Sequence, residues 1–121
     1  MLSKVYCAAC NGIEAYTVTI ETDVSDGICF FLVGLPDSAV KESQQRIGSA
    51  LAKFGYRIPG KRIVVNMAPA SVRKEGSSFD MPIGLGIICA SGQISGRGIS
   101  QEILNEFIVM GELALDGSLR P

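Results

Sequence analysis

Ile28-Cys29-Phe30-Phe31-Leu32-Val33-Gly34-Leu35-Pro36-Asp37-Ser38-Ala39-Val40 is the stretch in which the hydrophobic pattern changes period. Its first six residues are a short apolar run with the aromatic and β-branched content of a core strand. Gly34 to Asp37 then punctuates the chain, and Asp37 can cap the free amides of a helix that starts there. Beyond it Val40, Ile47, Leu51 and Phe54 recur at spacings of seven, four and three, which is one helical face. Lys41, Glu42, Gln45, Arg46 and Lys53 fall elsewhere, so the helix is amphipathic, with Gly55 as its left-handed cap. A strand feeding a helix that lies back over a sheet is the unit around which the rest is arranged.

Toward the N-terminus, residues 4–9 and 13–24 read as two strands around an Asn11-Gly12 turn, with Asp26-Gly27 as the next turn. Toward the C-terminus, residues 62–67 form a strand whose Ile63, Val64 and Val65 suggest burial on both faces, and Pro69 ends it. Residues 70–78 are polar and carry Arg73 and Lys74, so they read as a surface loop with exposed cations. Asp80-Met81-Pro82 opens a helix apolar on nearly every side. Gly84 and Gly86 cost that helix about 1 kcal/mol each relative to Ala, a cost tolerated for close backbone approach. A loop over 92–98, a short helix over 101–106 and a last strand over 107–115 complete the order. Three strands, helix, strand, two helices and a strand predict one α+β domain over 1–121, a mixed sheet with helices on one face.

A chain of 121 residues with 47% hydrophobic content is long enough for one core. Charged residues are 19% and the formal net charge is -1, which excludes a strongly basic nucleic-acid binder and confines any nucleic-acid contact to a local patch. The most apolar stretch is diluted by Gly84, Gly86, Ser91 and Gly92 below the roughly 18 to 20 residues of a membrane span. Residues 1–10 lack a signal-peptide pattern, so a cytoplasmic protein with reduced, buried thiols at Cys7, Cys10, Cys29 and Cys89 is expected. Histidine is absent, which removes the commonest general base and metal ligand.

Three blocks resemble the Mg-chelatase-like AAA+ ATPases of the ComM/YifB type: Val33 to Ser43, Val65 to Ile83 and Gly111 to Pro121. The resemblance implies a ribosomal-protein-type, Lon-protease-like N-terminal domain. In the parent protein it implies an AAA+ module with ATP and Mg, and a Mg-chelatase-like C-terminal region, both absent from this chain. It further implies hexameric rings and, in the ComM branch, a DNA helicase promoting branch migration during natural transformation. Expected partners are the chain's own ATPase module, neighbouring subunits and DNA, with no membrane.

Four segments carry candidate chemistry. Gly55-Tyr56-Arg57-Ile58-Pro59-Gly60-Lys61 has the glycine and lysine spacing of a phosphate loop. It is followed by Arg62 where Ser or Thr should hold Mg²⁺, and it leaves a helix instead of entering one, so it reads as a turn. Cys7 and Cys10 have the spacing of a zinc pair but lack His or a second close pair, so they read as buried strand residues and no metal is expected. Ser78 falls on the nucleophile position of the similar Lon segment, with Ser77 replacing a Pro and Phe79-Asp80 replacing a small pair. Lon-like enzymes place the activating Lys beyond the position of Pro121, so Ser78 is a vestigial candidate, and Ser77 or Ser78 is expected to cap the following helix. The alternative is a Ser-Lys peptidase with Ser78 as nucleophile. Lys61 and Arg62 begin one strand, whereas Arg73 and Lys74 follow its end. Arg73 and Lys74 lie in the strongest of the family blocks, and the resemblance makes them the candidate contacts to DNA or to the ATPase module, with no catalytic or cofactor-binding residue expected.

Overall fold

A computed structural model describes residues 1–11, 13–94 and 98–120, with the backbone alone for Asn11. Gly12 of the expected first turn, part of the expected 92–98 loop and Pro121 of the third family block lie outside the described residues. β1 (Leu2–Asn11) and β2 (Glu14–Ser25) pair antiparallel from Leu2 opposite Asp23 to Asn11 opposite Glu14. β3 (Cys29–Val33) pairs parallel with β4 (Arg62–Ala68), and β4 pairs antiparallel with β2. The sheet order is β1-β2-β4-β3, a mixed sheet.

The strands alternate because their side chains do: Val18, Ile20, Thr22 and Val24 of β2 and Ile63, Val65 and Met67 of β4 are buried, and their neighbours are not. The burial of β4 on both faces expected from its apolar run is corrected here. Val64 is only half-buried because helices cover one face of the sheet.

The expected first helix is divided at Glu42 into α1 (Ser38–Lys41) and α2 (Ser43–Lys53), with Asp37 Oδ1 accepting the Val40 amide as the cap (2.8 Å). Val40 and Ile47 enter the core as read, but Phe54 is 65% exposed. It stands at the helix end, where its ring lies across Gly117. Gly55 has φ +79, the left-handed cap the sequence called for. α3 (Asp80–Ala90) runs through the middle of the molecule and packs Ile83, Ile87 and Ala90 into the core. Gly86 is the close approach: a Cβ there would sit 2.6 Å from Thr22 Oγ1, and the Gly86 carbonyl accepts from Ser3 Oγ at 2.8 Å.

α4 (Gln101–Leu104) is shorter than read. The single strand expected over 107–115 is also corrected. Ile108 forms one parallel bridge to Tyr6, the Val109 amide donates to the Tyr6 carbonyl at 2.7 Å, and the chain then leaves the sheet. It leaves because Gly111 is bonded to the start of α3, donating to the Ser78 carbonyl (2.8 Å) and accepting from the Met81 amide (3.0 Å). Beyond Gly111 the chain forms a separate small hairpin, β5 (Glu112–Leu113) with β6 (Leu119–Arg120). Among the described residues, no helix is long and apolar enough to cross a membrane.

Candidate functional site

The first two sequence blocks, remote along the chain, meet in space. Gly34 (φ +108) lets the backbone pass β4 so closely that a Cβ would lie 2.2 Å from the Met67 carbonyl oxygen, and Leu35 follows in the left-handed region at φ 58. The Leu35 carbonyl accepts from the Lys74 amide and the Lys74 carbonyl from the Asp37 amide, each at 2.9 Å. Asp37 Oδ2 also accepts from Gly76 N at 3.2 Å. One carboxylate therefore caps α1 and pins the 70–78 loop, so the loop is a braced shelf beside the end of the sheet.

Lys74 is the residue the sequence misplaces. The loop's polarity predicts an exposed cation, but Lys74 is fully buried, its Nζ donating to the Pro69 carbonyl, and desolvation lowers its pKa. The loop folds around it because the turn at Gly34 to Asp37 closes over its backbone. Arg73 is exposed as expected, with its carbonyl accepting from Tyr16 Oη (3.3 Å) and its guanidinium near Glu75 (3.4 Å). Lys61 and Arg62 sit at the far end of β4, loosely paired with Asp26 (3.8 Å) and Asp23 (4.0 Å).

Between this shelf and the tip of the β1–β2 hairpin lies a groove of about 590 Å³. Cys10, Tyr16, Arg73, Ser78 and Phe79 are among the residues lining it, so Ser78 and Arg73 are brought together and Lys74 is not among them. Ser78 is half-buried, and Lys74, the lysine nearest to it in sequence, donates to the Pro69 carbonyl. Neither serine caps α3: its N-cap is Phe79 without a side-chain bond, and Ser77 Oγ donates instead to Glu112 Oε1. Asp80 does not charge the groove, because its carboxylate turns inward.

That inward turn creates a cluster the sequence pattern does not announce. Arg46 clamps the fully buried Asp80 through Nε to Oδ2 (2.6 Å) and Nη2 to Oδ1 (2.9 Å), and Asp80 Oδ2 also accepts the Leu113 amide (3.0 Å). The bond to Asp80 is the main cause of a raised Arg46 pKa. The signal was present: a carboxylate in the first turn of an otherwise apolar helix must find a cation, and α2 supplies one from its polar side.

Cys7 and Cys10 do not act as a pair. Three residues apart on a strand they point to opposite faces, so Cys7 is buried and Cys10 is exposed in the groove, a correction to the expectation that both are buried. Among the described residues no three His, Cys, Asp or Glu side chains converge as a metal site. The glycine-lysine segment at 55–61 joins α2 to β4, so it leads into a strand and not into a helix.

Residues 20–121 match the family described as subunit ChlI of Mg-chelatase. The chain is 47% identical over 120 residues to the competence protein ComM of Haemophilus influenzae and 40% identical over 120 residues to the uncharacterised protein YifB of Escherichia coli, covering 98% of this chain in both cases. An uncharacterised Mycobacterium tuberculosis protein, Rv2897c, is 32% identical over 99% of the chain. The chain belongs to the Mg-chelatase-like family of the ComM/YifB type. It spans 23% of the length of these relatives.

Proposed function

We propose that this chain is the non-catalytic scaffold and interaction domain of a hexameric Mg-chelatase-like AAA+ ATPase, a DNA helicase promoting branch migration in natural transformation. Family membership and the name of the competence relative support the assignment of pathway. The observation that carries the scaffold role is the fate of Lys74. The lysine nearest Ser78 in sequence is spent on the Pro69 carbonyl as the internal brace of the loop. The first two sequence blocks thus build a braced shelf whose exposed tip carries Arg73. ATP and Mg belong to the ATPase module of the parent, and the shelf and its groove serve contacts to that module, to neighbouring subunits or to DNA.

Ser78 in its groove favours one other reading, a Ser-Lys peptidase whose lysine comes from elsewhere in the parent. The test is the full-length parent carrying Ser78→Ala. DNA-stimulated ATP hydrolysis and branch migration are expected to match wild type, with no peptide cleavage by either protein. Cleavage by wild type that Ser78→Ala abolishes would replace the scaffold reading with the peptidase.

A further inference from the structure

We infer that the outward face of α3, with the end of α2, is the seat on which the parent's ATPase module docks. α3 carries no charge after Asp80, and a helix apolar all round is one buried all round. Its inner face is covered by the sheet, but Met81, Leu85 and Ile88, at spacings of four and three along the outer face, are only half-buried. With Leu51, Phe54 and Leu113 they line an almost wholly apolar groove of about 170 Å³. Such a face lacks a layer.

Two observations point to the polypeptide beyond this chain as the occupant, and the proposed function makes it the ATPase module. The relatives are some four times longer, this chain covering 23% of them, so most of the polypeptide is available to provide that layer. The described chain also reaches its last strand, β6, in the hairpin whose Leu113 and Gly117 form the rim of this groove, with Phe54 lying over Gly117. Polypeptide continuing from β6 starts beside the apolar face and needs no long linker to cover it. The inference rests on the reading that the ATPase module follows this domain.

The test is thiol accessibility. Leu85→Cys is introduced into the 121-residue chain and into the full-length parent, and its alkylation by a maleimide is followed by peptide mass spectrometry, with an added unstructured cysteine peptide as the reference. The expected result is ready labelling in the short chain and labelling at least tenfold slower in the parent, while the added peptide serves to correct for reagent. Should Leu85→Cys disturb folding, Phe54→Cys, at a 65% exposed position, gives the same comparison. Equal rates in the two proteins would overturn the inference. So would protection already present in the short chain that rises with its concentration, which would make the occupant a second copy. The labelling reports proximity alone, so a parent lacking ATPase or DNA activity would sink the proposed function and leave this measurement decisive.

Discussion

Burial pushes the Cys7 thiol from 9.0 up to about 11, the desolvation outweighing the hydrogen bond to the Ala8 carbonyl that lowers it. Below pH 9 folded and unfolded chains both hold this proton, and the stability it confers is complete. Between pH 9 and 11 the unfolded thiol ionises while the native one does not, so roughly 2 to 3 kcal/mol is lost across that window. Lys74, with its pKa lowered by burial, acts in the opposite direction as pH rises toward 10.5, so the Cys7 effect must be read as a difference. The stability difference between wild type and Cys7→Ala, from denaturant titrations, is expected to shrink between pH 9 and 11. A pH-independent difference would show that Cys7 ionises as freely in the native state as in the unfolded one. At this scale the sequence was legible where burial follows from pattern, as at Cys7, Val40 and Ile83. It misled at Lys74, because composition makes a charge in a polar loop look exposed. Tertiary contacts bury it, the Pro69 carbonyl taking its ammonium while the 34–37 turn closes over its backbone.

At the scale of elements, the contact of α3 with the β1–β2 hairpin sets how near the central helix sits to the sheet. Gly86 is the contact point, and Thr22 Oγ1 beneath it is buried with no hydrogen-bond partner among the described residues. Gly86→Ala forces a methyl to 2.6 Å from that oxygen, an overpacking that costs about 1 to 3 kcal/mol and exceeds the gain of about 1 kcal/mol in helix propensity. In a Thr22→Ala background the oxygen is gone, the nearest remaining atoms are 3.4 and 3.5 Å away, and Gly86→Ala should become neutral or stabilising. Denaturant midpoints for the four proteins of this cycle decide it, and equal costs in both backgrounds would mean that helix and sheet do not meet at this pair. The closeness of this packing was readable from Gly86 but not from Gly84, where a Cβ would meet Ile47 at an ordinary 3.5 Å, and the helix itself was readable from its Asp-Met-Pro start. The strand expected over 107–115 was not readable correctly, because its apolar alternation is interrupted by the commitment of Gly111 to the start of α3. Only the three-dimensional neighbourhood reveals those bonds to Ser78 and Met81.

At the scale of the whole molecule, a net charge of -1 leaves little long-range attraction for DNA, so any contact depends on where single cations stand and how often they are repeated. The structure separates the two loop cations that the sequence had joined. Arg73 is solvent-exposed and Lys74 is a structural brace. In the full-length ring proposed above, Arg73 is presented once per subunit, and six weak contacts acting together can raise apparent affinity by orders of magnitude. Arg73→Ala should therefore weaken DNA binding and flatten its salt dependence, since every phosphate left without its cation lowers the slope of log K against log salt by about 0.9. It should leave the melting temperature unchanged, because an exposed substitution shifts stability by less than about 0.5 kcal/mol. Lys74→Ala should behave in reverse, costing about 2 to 4 kcal/mol through the emptied volume and the unpaired Pro69 carbonyl. DNA titrations at several salt concentrations, with calorimetry on the same samples, distinguish the two. If Arg73→Ala leaves affinity and salt slope intact, the exposed shelf serves the ATPase module and not DNA. If it dissolves the hexamer, Arg73 organises the ring, and the loss of DNA binding follows from the loss of repetition.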